Sequence, residues 1–276
     1  MAITAKEVDK LRKMTGLGIM DCKKALVQSE GDFEQAIEIL QKKGEKITVG
    51  REDRETNEGV VFAKVNAGGT RGVLVAFSCE TDFVAKNEDF LSLGQEIVEV
   101  AFSVTPVDID ALKAVPIAGR TIAEKIVEAT GKIGEKLSIS AMELLEGEAV
   151  VPYIHSNKKL GVLVGLKHAN GAEVSEAGKD VAMQIASMNP ISVDKGDVDA
   201  SLVEKEIEIG KEQARQEGKP EQIIEKIAQG KLQKFFKENT LLNQAFVKDS
   251  SMNVTQYLDS VSKGLTVSAF KRVQIG

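Results

Sequence analysis

The chain has 276 residues, of which 42% are apolar and 28% charged, and a formal net charge of −6. That is long enough for two or three modest domains with buried cores, but with 4% aromatics and no tryptophan those cores must rest on Ile, Leu, Val and Ala. The acidic balance argues against a broad phosphate-binding surface, because affinity for nucleic acid comes mainly from Lys and Arg, and it favours a protein partner over RNA or DNA.

From the N-terminus, "MAITAKEVDK" has no apolar signal-peptide core, and no run approaches the roughly 18 apolar residues of a membrane span. A cytoplasmic location away from membranes is expected. Residues 4 to 44 read as three short helices: Thr4 with Glu7 and Asp32 with Gln35 have capping-box spacing, and Gly31 and Gly44 sit where helices stop. Val8, Leu11, Ala25, Leu26, Phe33, Ile37 and Leu40 would form their shared core. The charged, aperiodic stretch from Glu45 to Glu58 reads as a linker.

Beyond the linker the pattern changes to strands. "GVVFAKVNAGGTRGVLVAF" holds two β-branched runs around a turn at Asn66, and "EAVVPYIHSNKKLGVLVGL" repeats the arrangement, with "GVLV" at Gly72 and again at Gly161. Each copy runs on to an apolar-faced helix, through Leu93, Ile97, Val100 and Ala101 in the first and Val181, Ile185 and Met188 in the second. Two related α+β halves follow. After its last strand the first copy has "SCETDFVAKNEDF" where the second has "KHANGAEVSEAGKD", so the scaffold itself does not require an aromatic at Phe83. A phenylalanine is ordinarily buried against its own core. The comparison of the halves instead favours an outward-facing, functional Phe83.

Between the copies, "TIAEKIVEATG" is a helix with a Thr121/Glu124 capping box and a stop at Gly131. From Asp199 to Phe236 the chain reads as two helices joined at Gly218, Lys219 and Pro220. The first arm is thinly apolar (Leu202, Val203, Ile207, Ala214), whereas the second carries Ile223, Ile224, Ile227, Ala228, Leu232 and Phe235. Without a sustained heptad, this hairpin is equally a solvated arm or an oligomerisation surface.

Signs of chemistry are few. There is no GxSxG, HExxH or complete P-loop, "GKIGEKLS" lacks phosphate-cradling spacing, and "GLGIMD" at Gly16 is half a dinucleotide fingerprint that follows no strand. Cys22 and Cys79 form no CxxC, and with His155 and His168 they offer no closely spaced ligand pair, so neither a disulfide nor a zinc site is expected. His155 reads as a hydrogen-bonding surface residue before it reads as a base. An enzyme is not expected.

Two longer stretches carry more information. "LRKMTGLGIMDCKKAL" from Leu11 and "CETDFVAK" from Cys79 closely resemble the signature segments of the bacterial elongation factor Ts family. The likeness continues through "KIGEKLSI", "YIHSNKKLGVLV", "EGKPEQIIEKIAQGKLQKFF" and "NQAFVKD". This resemblance implies an α+β fold with an N-terminal ubiquitin-associated-like three-helix domain at 1–46, a linker at 47–57, and a core of two related subdomains with antiparallel sheets. The subdomains would span 58–140 and 141–190 with 237–276, with a protruding helical hairpin, of dimerisation type, inserted at 191–236.

The resemblance also implies a guanine-nucleotide exchange factor for the GTPase elongation factor Tu, without catalytic residues or a bound cofactor of its own. Thr81, Asp82, Phe83 and Val84 would disturb the partner's Mg2+ site. Leu11 and Arg12 would meet its nucleotide-binding domain, Ile133 and Gly134 its phosphate loop, and His155 a more distant domain. For Leu11, packing inside the helical module is the competing reading. A scaffold or holdase role without exchange activity is the alternative, and homodimerisation through the hairpin is a separate open question. Some relatives carry a further C-terminal helix; here "AFKRVQIG" closes the sequence, so a contact made by such a tail would be absent or replaced.

Overall fold

The computed structural model describes residues 3–15, 17–51 and 53–276, side chains included except at 45–49. Helices α1 (Ala5–Thr15), α2 (Ile19–Gln28) and α3 (Phe33–Val49) form the N-terminal module. Its sequence signals are met. The Thr4 N–H donates to the Glu7 carboxylate at 2.7 Å and the Glu7 N–H to the Thr4 hydroxyl at 3.3 Å, while Asp32 accepts from the amides of Glu34 and Gln35. Gly31, with φ of 94°, makes the left-handed turn into α3. Val8, Leu11, Cys22, Ala25, Leu26, Ala36 and Leu40 are buried together.

Gly44 departs from expectation. It does not stop α3, which runs on to Val49, so the start of the expected linker is helical.

The first half of the remaining chain runs β1 (Glu58–Val65), β2 (Arg71–Cys79), the single turn α4 (Asp82–Ala85), α5 (Glu88–Val104), α6 (Ile109–Lys113), the short pair β3 (Pro116–Ile117) and β4 (Arg120–Thr121), α7 (Ile122–Ile133) and β5 (Ser138–Glu146). The second half runs β6 (Ala149–Ile154), β7 (Leu160–Lys167) and α8 (Ser175–Met188), then the hairpin α9 (Ala200–Gln216) and α10 (Glu221–Asn239). It closes with the pair β8 (Ala245–Phe246) and β9 (Asp249–Asn253), α11 (Val254–Val261) and β10 (Thr266–Gln274). The strands make two three-stranded antiparallel sheets, ordered β1-β2-β5 and β10-β7-β6. The repeated "GVLV" occupies the central strand of each, β2 and β7. The sequence repeat is thus a repeat in space, and the α+β fold with antiparallel sheets is present.

The layers explain why both central strands read as unbroken apolar runs. One face of the first sheet, with Val73, Val75 and Phe77, packs on Phe90, Leu93 and Ile97 of α5 and Ile122 and Ile126 of α7. Its other face meets the second sheet through Val61, Leu74 and Leu145 against Val150, Leu163 and Val273. The far side of that sheet is covered by α8 and α11, through Val181, Ile185, Val254 and Leu258. Each sheet therefore has no solvent face at its centre. The sheets approach so closely that a Cβ at Gly161 would stand 2.6 Å from Val61 Cγ1, which is why the second "GVLV" opens on glycine.

Three further details bear on the expectations. The Thr121/Glu124 capping box starts α7 as anticipated, but Gly131 does not end it; the helix continues to Ile133, and Gly134, with φ of 84°, is its left-handed cap. Met188, expected on the inner face of α8, is 45% exposed. In the hairpin, Ile224, Ala228, Leu232 and Phe236 of α10 face inward, and Gly210 of α9 lets the helices close until a Cβ there would be 3.1 Å from Ala228 Cα. Among the described residues no helix is long and apolar enough to cross a membrane.

Candidate functional site

Where β2 ends, the chain must turn from a doubly covered strand into α5 within a few residues. Cys79 is still buried, and burial together with the nearby Glu135 carboxylate pushes its thiol up to about 12. Thr81 caps the single turn α4: its hydroxyl accepts from the Val84 N–H at 3.4 Å. Val84 and Ala85 pack onto the first core, and a one-turn helix that buries those two positions must direct Phe83 away from them. Phe83 is 82% exposed. Asp82 beside it pairs with Lys86 at 2.6 Å, and that hydrogen bond holds its carboxyl below the usual carboxylate range. The turn therefore presents an ionised acid and an uncovered aromatic ring, as the comparison of the two halves anticipates.

Two glutamates fix the backbone that carries this pair. Glu135, just after the cap of α7, accepts from the Thr81 N–H at 3.0 Å and from the Thr81 hydroxyl at 2.7 Å. Glu80 accepts from Arg51 at 3.0 Å, from Arg54 at 2.8 Å and from the Lys136 N–H at 2.6 Å. Desolvation raises the Glu80 carboxyl, but the Lys136 amide and the two arginines outweigh it and hold it below its ordinary value. Lys136 also donates its ammonium to the Arg54 carbonyl at 2.9 Å. Arg51 and Arg54, read as part of a plain linker, are thus strapped to the base of the turn.

These bonds bring two sequence-defined stretches together, Thr81–Val84 and Ile133–Gly134. Ile133 packs against the first core, and Gly134, whose N–H donates to the Thr130 carbonyl at 2.9 Å, has nothing within 4 Å of where a Cβ would stand. His155 lies in the β6–β7 turn, exposed, with Nδ1 2.9 Å from the Tyr153 hydroxyl, beside a cleft of about 780 Å³ that Arg272 and Lys159 also line. Lys159 pairs with Glu58 at 3.0 Å, and Glu58 is the strand partner of Cys79, so this turn and the Phe83 turn sit at the same end of the stacked sheets.

The N-terminal module divides. Arg12 is exposed, but Leu11 is 0% exposed among Val8, Cys22, Ala25 and Leu26. The expectation of a partner contact by Leu11 is therefore corrected: the helical period turns its side chain into the module's own core. Sequence reasoning did not single out Ile19 and Met20, 52% and 59% exposed, although they lie within the signature segment that begins at Leu11. Gly16, where the "GLGIMD" fingerprint would begin, lies outside the described residues. The available signal was Met20 with Val27, two turns apart on the solvent face of α2 and both apolar. Among the described residues no cluster of His, Cys, Asp and Glu is arranged to hold a metal ion.

The family model described as elongation factor TS matches residues 80–276, beginning at the glutamate that anchors the turn. An elongation factor Ts from Cytophaga hutchinsonii is 57% identical over 274 residues, covering 99% of both chains. Those of Amoebophilus asiaticus and Christiangramia forsetii are 53% and 50% identical over 100% and 99% of each chain.

The chain belongs to the elongation factor Ts family. The relatives span the helical module as well as the part that the family model matches, so the elongation factor Ts likeness covers α1 to α3 too. As an elongation factor Ts family member it is a translation elongation factor, at work in protein biosynthesis.

Proposed function

We propose that this elongation factor Ts family member is a guanine-nucleotide exchange factor that binds the GDP form of the GTPase elongation factor Tu and promotes GDP release by dislodging Mg2+, so that GTP can bind. The observation that carries this reading is Phe83, 82% exposed on a turn whose next two residues, Val84 and Ala85, pack on the core. A phenylalanine left in water by a scaffold that does not need it there is an anchor for another molecule.

The physical logic is linkage. A GTPase holds its nucleotide partly through Mg2+ bridging phosphate oxygens to protein oxygens, so displacing the ion weakens its hold. Exchange factor and nucleotide then lower each other's affinity by the same factor. Burying one Phe contributes about 1.5–3 kcal/mol, which is about one to two powers of ten in affinity. Other contacts must hold the complex. Thr81 and Val84 set the turn, Asp82 brings a negative charge toward the cation, Ile133 and Gly134 bring an uncrowded helix end to the phosphate loop, and Arg12 with Ile19 and Met20 supplies a basic and apolar surface on the module. His155 adds a polar contact from the second half.

The test is release of labelled GDP from elongation factor Tu. Wild-type protein is expected to accelerate it, and Phe83→Ala to lose about one to two powers of ten of that acceleration. Stable binding without faster release would replace this reading with a scaffold or holdase. Self-association through the hairpin is a separate possibility, favoured by Ile209 and Ile223, which it leaves 39% and 42% exposed. Light scattering on Ile209→Glu with Ile223→Glu decides it.

A further inference from the structure

We infer that Glu135 is a positioning residue, which sets where Phe83 points by clamping Thr81. The inference rests on the exchange reading above and assigns a role to a residue that does not itself meet the nucleotide.

Phe83, at 82% exposure, has almost no side-chain surroundings to orient it. The direction of its Cα–Cβ bond is then fixed by the backbone of α4 alone, and a helix of four residues has too few internal bonds to hold its own axis. The orientation must be imposed from outside. On the C-terminal side Val84 and Ala85 do this by packing on the core. On the N-terminal side the task falls to Thr81, whose φ of −127° and ψ of 156° set the direction in which the turn begins.

Among the described residues Glu135 is the only partner of the Thr81 amide, and its second oxygen holds the hydroxyl, at 3.0 and 2.7 Å. Two bonds from one carboxylate to two atoms of one residue fix rotation as well as distance. The same hydroxyl accepts from the Val84 N–H, so the carboxylate reaches the interior of the turn through Thr81. Glu135 is itself rigidly placed, one residue beyond the left-handed Gly134 cap and followed by the Lys136 amide bound to Glu80. A carboxylate anchored on both sides holds the Thr81–Val84 turn and the Ile133–Gly134 turn as one body. Pre-organisation of this kind saves the ordering cost that a mobile turn would meet as it enters the partner's Mg2+ site, in a complex already held by other contacts.

Glu135→Ala and Glu135→Gln are compared with wild type in two measurements. In GDP release from elongation factor Tu, Glu135→Ala is expected to lower the maximal rate by about tenfold or more, since it removes both bonds from Thr81 to a charged acceptor, while the half-saturating concentration changes little. Glu135→Gln, which keeps one acceptor oxygen, is expected to recover part of that rate. In amide hydrogen exchange on the isolated protein, Glu135→Ala is expected to expose the Thr81 and Val84 amides while the β2 amides stay protected. An unchanged maximal rate, or a loss confined to the half-saturating concentration, overturns the inference, and so does unchanged protection of Thr81. Should wild type itself fail to accelerate release, the exchange reading falls, and the clamp is then decided by the amide measurement alone.

Discussion

Gly44 and Gly131 meet where α3 crosses α7: a Cβ at Gly131 would lie 3.1 Å from Gly44 Cα. Neither glycine ends its helix; both let the N-terminal module seat on the core. The contact is asymmetric, since a Cβ at Gly44 would lie 3.5 Å from the Val127 carbonyl oxygen, an ordinary van der Waals distance. Gly44→Ala should therefore gain helix propensity, up to about 1 kcal/mol, and raise the melting temperature. Gly131→Leu must push against backbone that moves only with the whole of α3. It should lower the melting temperature and speed proteolysis between Arg51 and Asn57, and a thermally unchanged Gly131→Leu would show that the helices do not seat there.

This contact also marks the limit of what the sequence made legible. A glycine near the end of an apolar period signals either a left-handed cap or a close approach of two helices, and only the fold distinguishes them. Gly134 takes positive φ, whereas Gly131 is absent from the positive-φ residues. Local signals read well: the Thr4 and Thr121 boxes, the doubled "GVLV", and Phe83 turned outward because the second half has no counterpart. Partnerships distant along the chain were invisible. Nothing near Glu80 or Glu135 in sequence shows that one takes Arg51 and Arg54 and the other takes Thr81. Leu11 reads correctly from its helical period and wrongly as a contact residue, because the signature segment mixes core and surface positions.

Glu80 makes the strap between Arg51, Arg54 and the turn sensitive to acid. Its folded carboxyl titrates below the ordinary 4.5, so as pH falls the unfolded chain takes up the proton first. The strap's contribution is complete above 4.5 and disappears as pH drops through the lower folded value. Denaturant titrations of wild type and Glu80→Gln should differ most at neutral pH and converge in acid. A difference independent of pH would mean that the arginines do not stabilise the charged form.

Two phenylalanines near the site should separate stability from function. Phe90 is fully buried, with its ring stacked on Phe77 at a centroid distance of 4.5 Å, so Phe90→Ala should cost about 3–5 kcal/mol of unfolding free energy. Phe83→Ala should stay within about 0.5 kcal/mol of wild type, because its ring buries almost nothing in the free protein. Urea unfolding of both variants checks this, and a destabilised Phe83→Ala would place that ring in the protein's own core.

The thiol beneath the turn gives a probe that needs no partner. Only the thiolate attacks alkylating reagents, and with its ionisation pushed up to about 12 Cys79 holds almost none at neutral pH, in addition to being shielded by the core. Iodoacetamide labelling followed by peptide mapping should therefore modify Cys79 only at the rate at which β2 opens, far more slowly than in the denatured chain. The same shift acts on stability. Above the unfolded value of 9.0 the unfolded chain loses its proton while the folded chain keeps it, so folding stability falls as pH rises from 9.0 towards 12. Cys79→Ala removes that slope at the cost of a small cavity, so its stability curve should be flatter in alkali even if lower throughout. Fast native-state labelling of Cys79 would mean that the end of β2 opens readily, and the turn could not then be held as firmly as Glu80 and Glu135 require.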